Sequence, residues 1–137
     1  MRTCSFWLWV PLTLFVAGCG NNEPDRAKVY SARGSVSFKG KPAAGAIVRV
    51  HDVSGALVSR GVVQKDGTFA LTTNEAGDGI PAGRYRVSVY WRRQTSDDEP
   101  DGPSLLPDRY SRPESSGLEI EVKAEPENKL SPFILKP

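Results

Sequence analysis

Length, composition and charge limit what this chain can be. It has 137 residues, of which 39% are hydrophobic and 25% are charged, and its 18 Lys and Arg residues nearly balance 16 Asp and Glu residues. A nucleic-acid-binding domain would carry a basic stripe with interleaved aromatic residues. The nearest approach is Arg92 and Arg93 after Trp91, and an acidic segment follows them directly. We therefore expect one domain and no nucleic-acid partner.

The N-terminal segment has the features of a targeting signal. Arg2 gives it a positive start, residues 4–16 are almost wholly apolar, and the small residues Ala17 and Gly18 follow. The apolar run is shorter than the roughly 20 residues that a membrane-spanning helix needs, and a proline interrupts it. We therefore expect residues 1–18 to be a signal peptide that is removed from the mature chain.

The residues around Cys19 indicate which type of signal this is. The sequence "VAGC" at the end of the apolar run resembles the bacterial lipobox. The resemblance implies that the signal peptidase recognises Val16, Ala17 and Gly18. Cys19 then receives a diacylglyceryl group, and the new amino terminus is acylated with a fatty acid such as palmitate. Residues 19–30 would form the lipidated cysteine and a polar tether. The protein would lie in the bacterial cell envelope, anchored in a membrane by lipid and facing the periplasm or the cell exterior.

The cysteine content agrees with a lipid anchor. Of the 2 cysteines, Cys4 lies in the segment to be removed, which leaves Cys19 without an intramolecular partner. A single exported thiol is prone to oxidation, whereas a thioether to lipid removes that reactivity. The alternative is an ordinary secretory signal that leaves Cys19 as a free thiol.

Residues 31–137 have the pattern of one β-sandwich domain. Apolar and polar residues alternate in short runs, and turn residues separate the runs at the spacing typical of an all-β sandwich. The predicted strands cover residues 34–38, 46–52, 56–64, 69–71, 84–91, 118–123 and 130–136. The alternation places Val48, Val50, Val87, Val89 and Ile120 among the inward-facing residues.

Three local features refine this prediction. Asp66 and Gly67 predict a two-residue hairpin turn, because both residue types adopt positive φ angles readily. Gly61, inside a strand, predicts a bulge or a close backbone approach. The long connection over residues 92–116 needs side chains that fix it to the domain, and these are predicted to be Leu105, Leu106 and Tyr110.

Several segments in this order resemble a known group of proteins. They are "GSVSFKGKPAAGAIVRV", "KDGTFALTT", "GIPAGRYRVSVYW", "LPDRYSRPESSGLEIEVK" and "PFILKP". Together they are similar to small lipoproteins of planctomycete bacteria and to the carboxypeptidase regulatory-like, transthyretin-type domain. The resemblance implies a Greek-key sandwich of about seven strands in the cell envelope. It supplies no catalytic residues.

The residue types needed for catalysis or for a cofactor are scarce. His51 is the only histidine, and one histidine on a polar strand face is expected to be a solvated side chain. One histidine and one lipidated cysteine do not make a zinc site. We therefore expect no enzymatic activity and no cofactor.

Three clusters are candidate binding sites. One consists of Asn74, Glu75 and Asp78, for which a glycine-rich connection into the next strand is the simpler interpretation. Asp97, Asp98 and Asp101 offer the oxygen ligands that calcium prefers, although a solvated acidic loop is the simpler interpretation. Tyr90, Arg92 and Arg93 offer a ligand or glycan platform. The simpler interpretation there is cross-strand pairing of arginines with Glu119 or Glu121.

Together these features predict a lipid-anchored, non-enzymatic structural or interaction module of the cell envelope. Its partners would be the membrane, through the lipid, and an envelope protein or a glycan. The alternative is an extracytoplasmic binding module for calcium, a glycan or a protein partner.

Overall fold

A computed structural model describes residues 26–92 and 104–137. Within these ranges the chain forms two β-sheets that pack against each other, which confirms the expected all-β sandwich. Nothing helical in the described ranges is long and apolar enough to cross a membrane.

Some of the predicted site residues lie outside these ranges, so their interpretation stays a prediction. They belong to the signal sequence, the lipobox, the acidic loop and the end of the arginine pair. They are Val16, Ala17, Gly18, Cys19, Arg93, Asp97, Asp98 and Asp101.

Most strands are short. In chain order they are β1 (Val29–Phe38), β2 (Lys41–Pro42), β3 (Ile47–His51), β4 (Leu57–Val62), β5 (Thr68–Ala70), β6 (Ile80–Pro81), β7 (Gly83–Tyr90), β8 (Leu118–Val122), β9 (Glu127–Lys129) and β10 (Phe133–Leu135). The described residues thus contain ten strands rather than about seven, because β2, β5, β6, β9 and β10 have only two or three residues each. The first strand begins at Val29 rather than at the expected boundary of residue 31.

Strand β1 organises the first sheet. It pairs antiparallel with β2, β5 and β6, and parallel with β9 and β10. Two-residue and three-residue segments have too little pairing to be stable alone. They are ordered because each one bonds to a different stretch of the long strand.

The second sheet has the order β4-β3-β7-β8, and every pair in it is antiparallel. Because side chains alternate between the two faces of a strand, Val48 and Val50 point to the core while Arg49 points away from it. A β-bulge lies between Val50 and His51 where β3 pairs with β4. The outer face of this sheet carries the charged residues of its strands together with the exposed Leu57 and Val62.

The core lies between the two sheets and contains the inward residues that the alternation predicts. Buried side chains from both sheets include Val36, Val48, Val50, Phe69, Leu71, Val87, Val89, Ile120, Val122, Phe133 and Leu135. The rings of Phe69 and Phe133 stack with centroids 6.0 Å apart and planes 10° apart.

The turn at Asp66 and Gly67 differs from the expected two-residue hairpin. Of these two residues only Gly67 has a positive φ, of 87°, and its N–H donates to the Gln64 carbonyl at 2.9 Å. This is a four-residue turn that ends in a left-handed glycine. The Gln64 N–H donates to the Thr68 carbonyl at 2.7 Å, so the turn still closes a hairpin between the two flanking segments. The Thr68 hydroxyl and N–H donate to the Asp66 carboxylate, which lowers the pKa of Asp66.

Gly61 in β4 makes the close backbone approach that its position predicts. A Cβ atom there would lie 2.8 Å from the Ala70 carbonyl oxygen. Beside it, the Arg60 N–H donates to the Thr72 carbonyl at 3.1 Å, and the Thr72 N–H donates to the Arg60 carbonyl at 2.8 Å. These bonds join the edge of β4 to the chain that leaves β5.

The connection that follows residue 103 is held by the side chains of two of the three residues predicted to fix it. Leu106 and Tyr110 are buried, whereas Leu105 is 37% exposed and is fixed instead through its N–H, which donates to the Trp91 carbonyl. Tyr110 lies in a 3-10 helix, Asp108–Ser111. Its hydroxyl accepts the Lys136 N–H at 2.9 Å and lies 3.2 Å from the Lys136 carbonyl, to which it donates. Tyr110 therefore ties the connection to the C-terminal strand.

Replacement of Tyr110 by Phe tests this tie. Tyr110→Phe leaves the part-buried Lys136 N–H without its partner, and we expect the free energy of unfolding to fall by about 1 kcal/mol in urea denaturation. Tyr30→Phe is the matched control, because Tyr30 also packs against the core but its hydroxyl makes no hydrogen bond in the described part of the chain. Equal effects of the two changes would contradict the role given to the Tyr110 hydroxyl.

Candidate functional site

The outer face of the second sheet carries the densest group of charged and aromatic side chains on the described strands. We call it the arginine face. It is formed by Arg49 and His51 of β3, Leu57, Arg60 and Val62 of β4, Arg84, Arg86, Ser88 and Tyr90 of β7, Glu119 and Glu121 of β8, and Arg92 directly after β7. The strand register sets Arg49 between Arg60 and Ser88.

Tyr90 lies close to two guanidinium groups. The Arg92 Cζ atom is 4.3 Å from the ring centroid, and the Arg49 Cζ atom is 5.7 Å from it. Both distances are within the range of a cation–π interaction. The Tyr90 hydroxyl is buried and has no hydrogen-bond partner among the described residues. The sequence prediction placed Tyr90 and Arg92 together, which agrees with the structure. It did not include Arg49, which lies on the neighbouring strand β3.

His51 is not the solvated side chain that the sequence predicts. It is half-buried, its Nε2 atom is 3.0 Å from the Ser88 Oγ atom, and its Nδ1 atom is 3.2 Å from the Gly55 carbonyl oxygen. A carbonyl only accepts, so Nδ1 carries the proton in the neutral ring and Nε2 accepts from the Ser88 hydroxyl. Both ring nitrogens are thus used within the protein.

A serine that donates to a histidine is the arrangement used in nucleophilic catalysis. Here Ser88 is only 2% exposed, in the middle of β7, so a substrate carbonyl cannot reach its Oγ atom. The carboxylate of Asp52 does not orient the ring either, because it accepts from Ser54 and Ala56 instead. The geometry favours a structural role for the His51–Ser88 pair.

The charges on the arginine face are unevenly distributed. Arg84 pairs with Glu121 across the β7–β8 ladder at 3.8 Å, which agrees with the cross-strand pairing that the sequence suggests. Both side chains are exposed, so this pair adds little stability. In the described ranges, Arg49 and Arg60 have no carboxylate within ion-pair distance. Positive charge therefore accumulates toward β3 and β4.

An open groove of about 500 Å³ runs along the β7–β8 side of this face. It is lined by Val53, Arg84, Tyr85, Arg86, Glu119, Ile120 and Glu121. Burial, and then the charge of Asp52, raise the pKa of Tyr85, and its hydroxyl donates to the Pro81 carbonyl at 2.8 Å. Its lining residues do not include a nucleophile paired with a base.

The loop before β6 is held together by hydrogen bonds from its backbone to the side chain of Asp78. Asp78 accepts the N–H groups of Thr73, Asn74 and Glu75 at 2.8 to 3.0 Å. Burial raises the pKa of Asp78, but these hydrogen bonds outweigh it, and the pKa lies below the ordinary value of 3.8. The described ranges contain no group of three or more side chains suited to a metal ion.

The comparisons with known proteins add little. No protein-family model and no curated protein matches the chain. Among solved structures, a 9R-lipoxygenase from Cyanothece PCC8801 is 15% identical with a TM-score of 0.45, and the match covers 79% of this chain and 16% of that one. A DUF3823 family protein from Parabacteroides merdae ATCC 43184 is 14% identical with a TM-score of 0.39, and the match covers 81% and 46%. The chain thus spans less than half of each neighbour, and we transfer no activity from either.

The two tyrosines of β7 allow a test of the buried Tyr90 hydroxyl. Tyr90→Phe removes a polar atom that has no described partner, so we expect the free energy of unfolding to stay equal or to rise by up to about 1 kcal/mol. Tyr85→Phe, the control, removes the bond to Pro81 and should lower it by about 1 kcal/mol. A loss of stability in Tyr90→Phe as large as that in Tyr85→Phe would show that the hydroxyl is bonded.

The lowered pKa of Asp78 predicts a pH dependence. A carboxyl whose pKa is lowered on folding stabilises the fold above its unfolded value, and that contribution disappears as the pH falls through the folded value. Asp78→Asn should therefore be less stable than the wild type at pH 7, by about 1 kcal/mol. The difference should shrink below pH 4, as measured by thermal unfolding across pH. A difference independent of pH would contradict a role for the charge.

Proposed function

We propose that this chain is a lipid-anchored protein of the bacterial cell envelope whose β-sandwich is a non-enzymatic interaction module. The observation that carries the proposal is Cys19, placed after small residues at the end of an apolar run. The first strand begins at Val29, which leaves residues 20–28 to connect the lipid to the domain as a tether. At about 3.3 Å per residue such a tether spans roughly 30 Å.

The described surfaces support an interaction role over a catalytic one. The Ser88 hydroxyl, which is bonded to His51, is enclosed by the sheet. The titratable groups of the open groove include Arg84 and Glu121, which pair with each other, and Tyr85, which is bonded to the backbone. By contrast, Arg49 and Arg60 of the arginine face are exposed, and no carboxylate of the described ranges lies within ion-pair distance of them, which favours recognition of an anionic partner.

The intact mass of the protein from the membrane fraction tests the anchor. We expect a mass equal to residues 19–137 plus acyl groups, and we expect Cys19→Ala to abolish both the acyl groups and the membrane association. Cys4→Ala is the control, because Cys4 lies in the segment that is removed and its loss should change nothing. An unmodified chain in the soluble fraction would overturn the proposal and would make Cys19 a free thiol.

A further inference from the structure

We propose that the β3–β4 side of the arginine face lies against an anionic phospholipid surface. The inference rests on the proposed lipid anchor and adds the orientation of the sandwich on the membrane. The contact surface, called here the hairpin surface, consists of Arg49 and Arg60 with the exposed aliphatic residues Val53, Leu57 and Val62.

The first argument is charge. Arg49 and Arg60 are exposed and directly opposite each other on neighbouring strands. Like charges so placed repel, so the pair destabilises the sheet unless an anion lies over it. The strands of this sheet contain arginine as their only cationic residue type besides His51. The planar guanidinium binds phosphate through paired hydrogen bonds, which an ammonium group does not provide.

The second argument is apolar exposure. Val53 is 86% exposed at the tip of the β3–β4 hairpin, and Leu57 and Val62 on β4 are 56% and 53% exposed. Elsewhere in the described ranges the exposed large aliphatic residues are Leu105 and Ile134, which are far apart in sequence. Basic residues mixed with exposed aliphatic ones are typical of surfaces that lie in a membrane interface.

An acidic glycan fits this surface less well. Sugar recognition uses an exposed aromatic ring or a groove with converging polar groups. The aromatic ring nearest the hairpin surface is Tyr90, whose hydroxyl is buried and whose ring is approached by the guanidinium groups of Arg49 and Arg92. The open groove follows β7 and β8 and reaches the hairpin surface only at Val53.

Because the lipid anchor holds the domain near the membrane, a weak contact between the hairpin surface and the lipid is sufficient for binding. A tether of roughly 30 Å keeps the domain close to the bilayer, so binding to the surface is effectively intramolecular. Each arginine near an anionic surface contributes about a factor of five to the ratio of bound to free domain. Arg49 and Arg60 together then contribute about thirty-fold.

The test uses the lipidated protein, purified from membranes and reconstituted into vesicles. Cys19 carries lipid in this protein, so Val62→Cys introduces the one reactive thiol, which takes an environment-sensitive fluorophore. Ile134→Cys is the matched control, because Ile134 is 69% exposed on β10 of the other sheet. Vesicles contain phosphatidylcholine alone or with about one third phosphatidylglycerol.

We expect a lipid-phase quencher to quench the label at residue 62 in anionic vesicles but not in neutral ones. About 1 M salt, which shortens the screening length to about 3 Å, should reverse the quenching. The label at residue 134 should stay accessible to water throughout. Arg49→Gln with Arg60→Gln should lower the bound-to-free ratio about thirty-fold. Arg33→Gln with Lys129→Gln removes the same charge from the other sheet and should leave the ratio unchanged.

Three results would overturn the inference. The first is that the label at residue 62 does not respond to anionic lipid. The second is that it responds equally in neutral vesicles and that salt does not reverse the response. The third is that it responds to heparin in detergent but not to vesicles. The last result would identify an acidic glycan as the partner. If the intact mass shows no acyl groups, the anchor fails separately. Sedimentation of the unlipidated chain with anionic vesicles, dependent on Arg49 and Arg60, would then still support the hairpin surface.

Discussion

The fold depends on the backbone hydrogen-bonding capacity of one long strand. Half of the described strands have no more than three residues, and each of these pairs with β1. Gly34 in β1 makes room for this assembly, because a Cβ atom there would lie 2.8 Å from the Cζ atom of Phe69. Phe69 of β5 in turn stacks on Phe133 of β10, so the partners of β1 also hold each other through the core.

The sequence pattern predicts the parts of this fold in which burial alternates. In a strand, every second side chain faces the core, so the positions of the apolar residues indicate the buried face. The residues buried as expected include Val48, Val50, Val87 and Val89. Strands such as β2, β6 and β9 were missed because two or three residues show no period, and their order comes from pairing with distant residues of β1. The turn at Gly67 also differs from the prediction, since glycine at a positive φ occurs both in two-residue hairpin loops and in longer ones.

For the candidate site, the sequence predicts which residues of one strand share a face, but not which residues of different strands are in contact. Alternation places Arg84, Arg86, Ser88 and Tyr90 on one face of β7, and the structure agrees. What lies beside them depends on the strand register, which a single sequence does not encode locally. His51 and Ser88 are separated by 37 positions, and Arg49 reaches Tyr90 from another strand. The sequence could suggest polarity on this face, but not which side chains meet.

The backbone bonds between Arg60 and Thr72 also bear on self-association. An edge strand with free N–H and C=O groups is a template for pairing with another copy of the chain. β4 is such an edge, yet Thr72 occupies both backbone groups of Arg60 in its middle. A second chain therefore cannot extend the sheet there without first breaking two internal hydrogen bonds. The internal bonds of Arg60 thus oppose edge-to-edge pairing of two copies of the chain through the middle of β4.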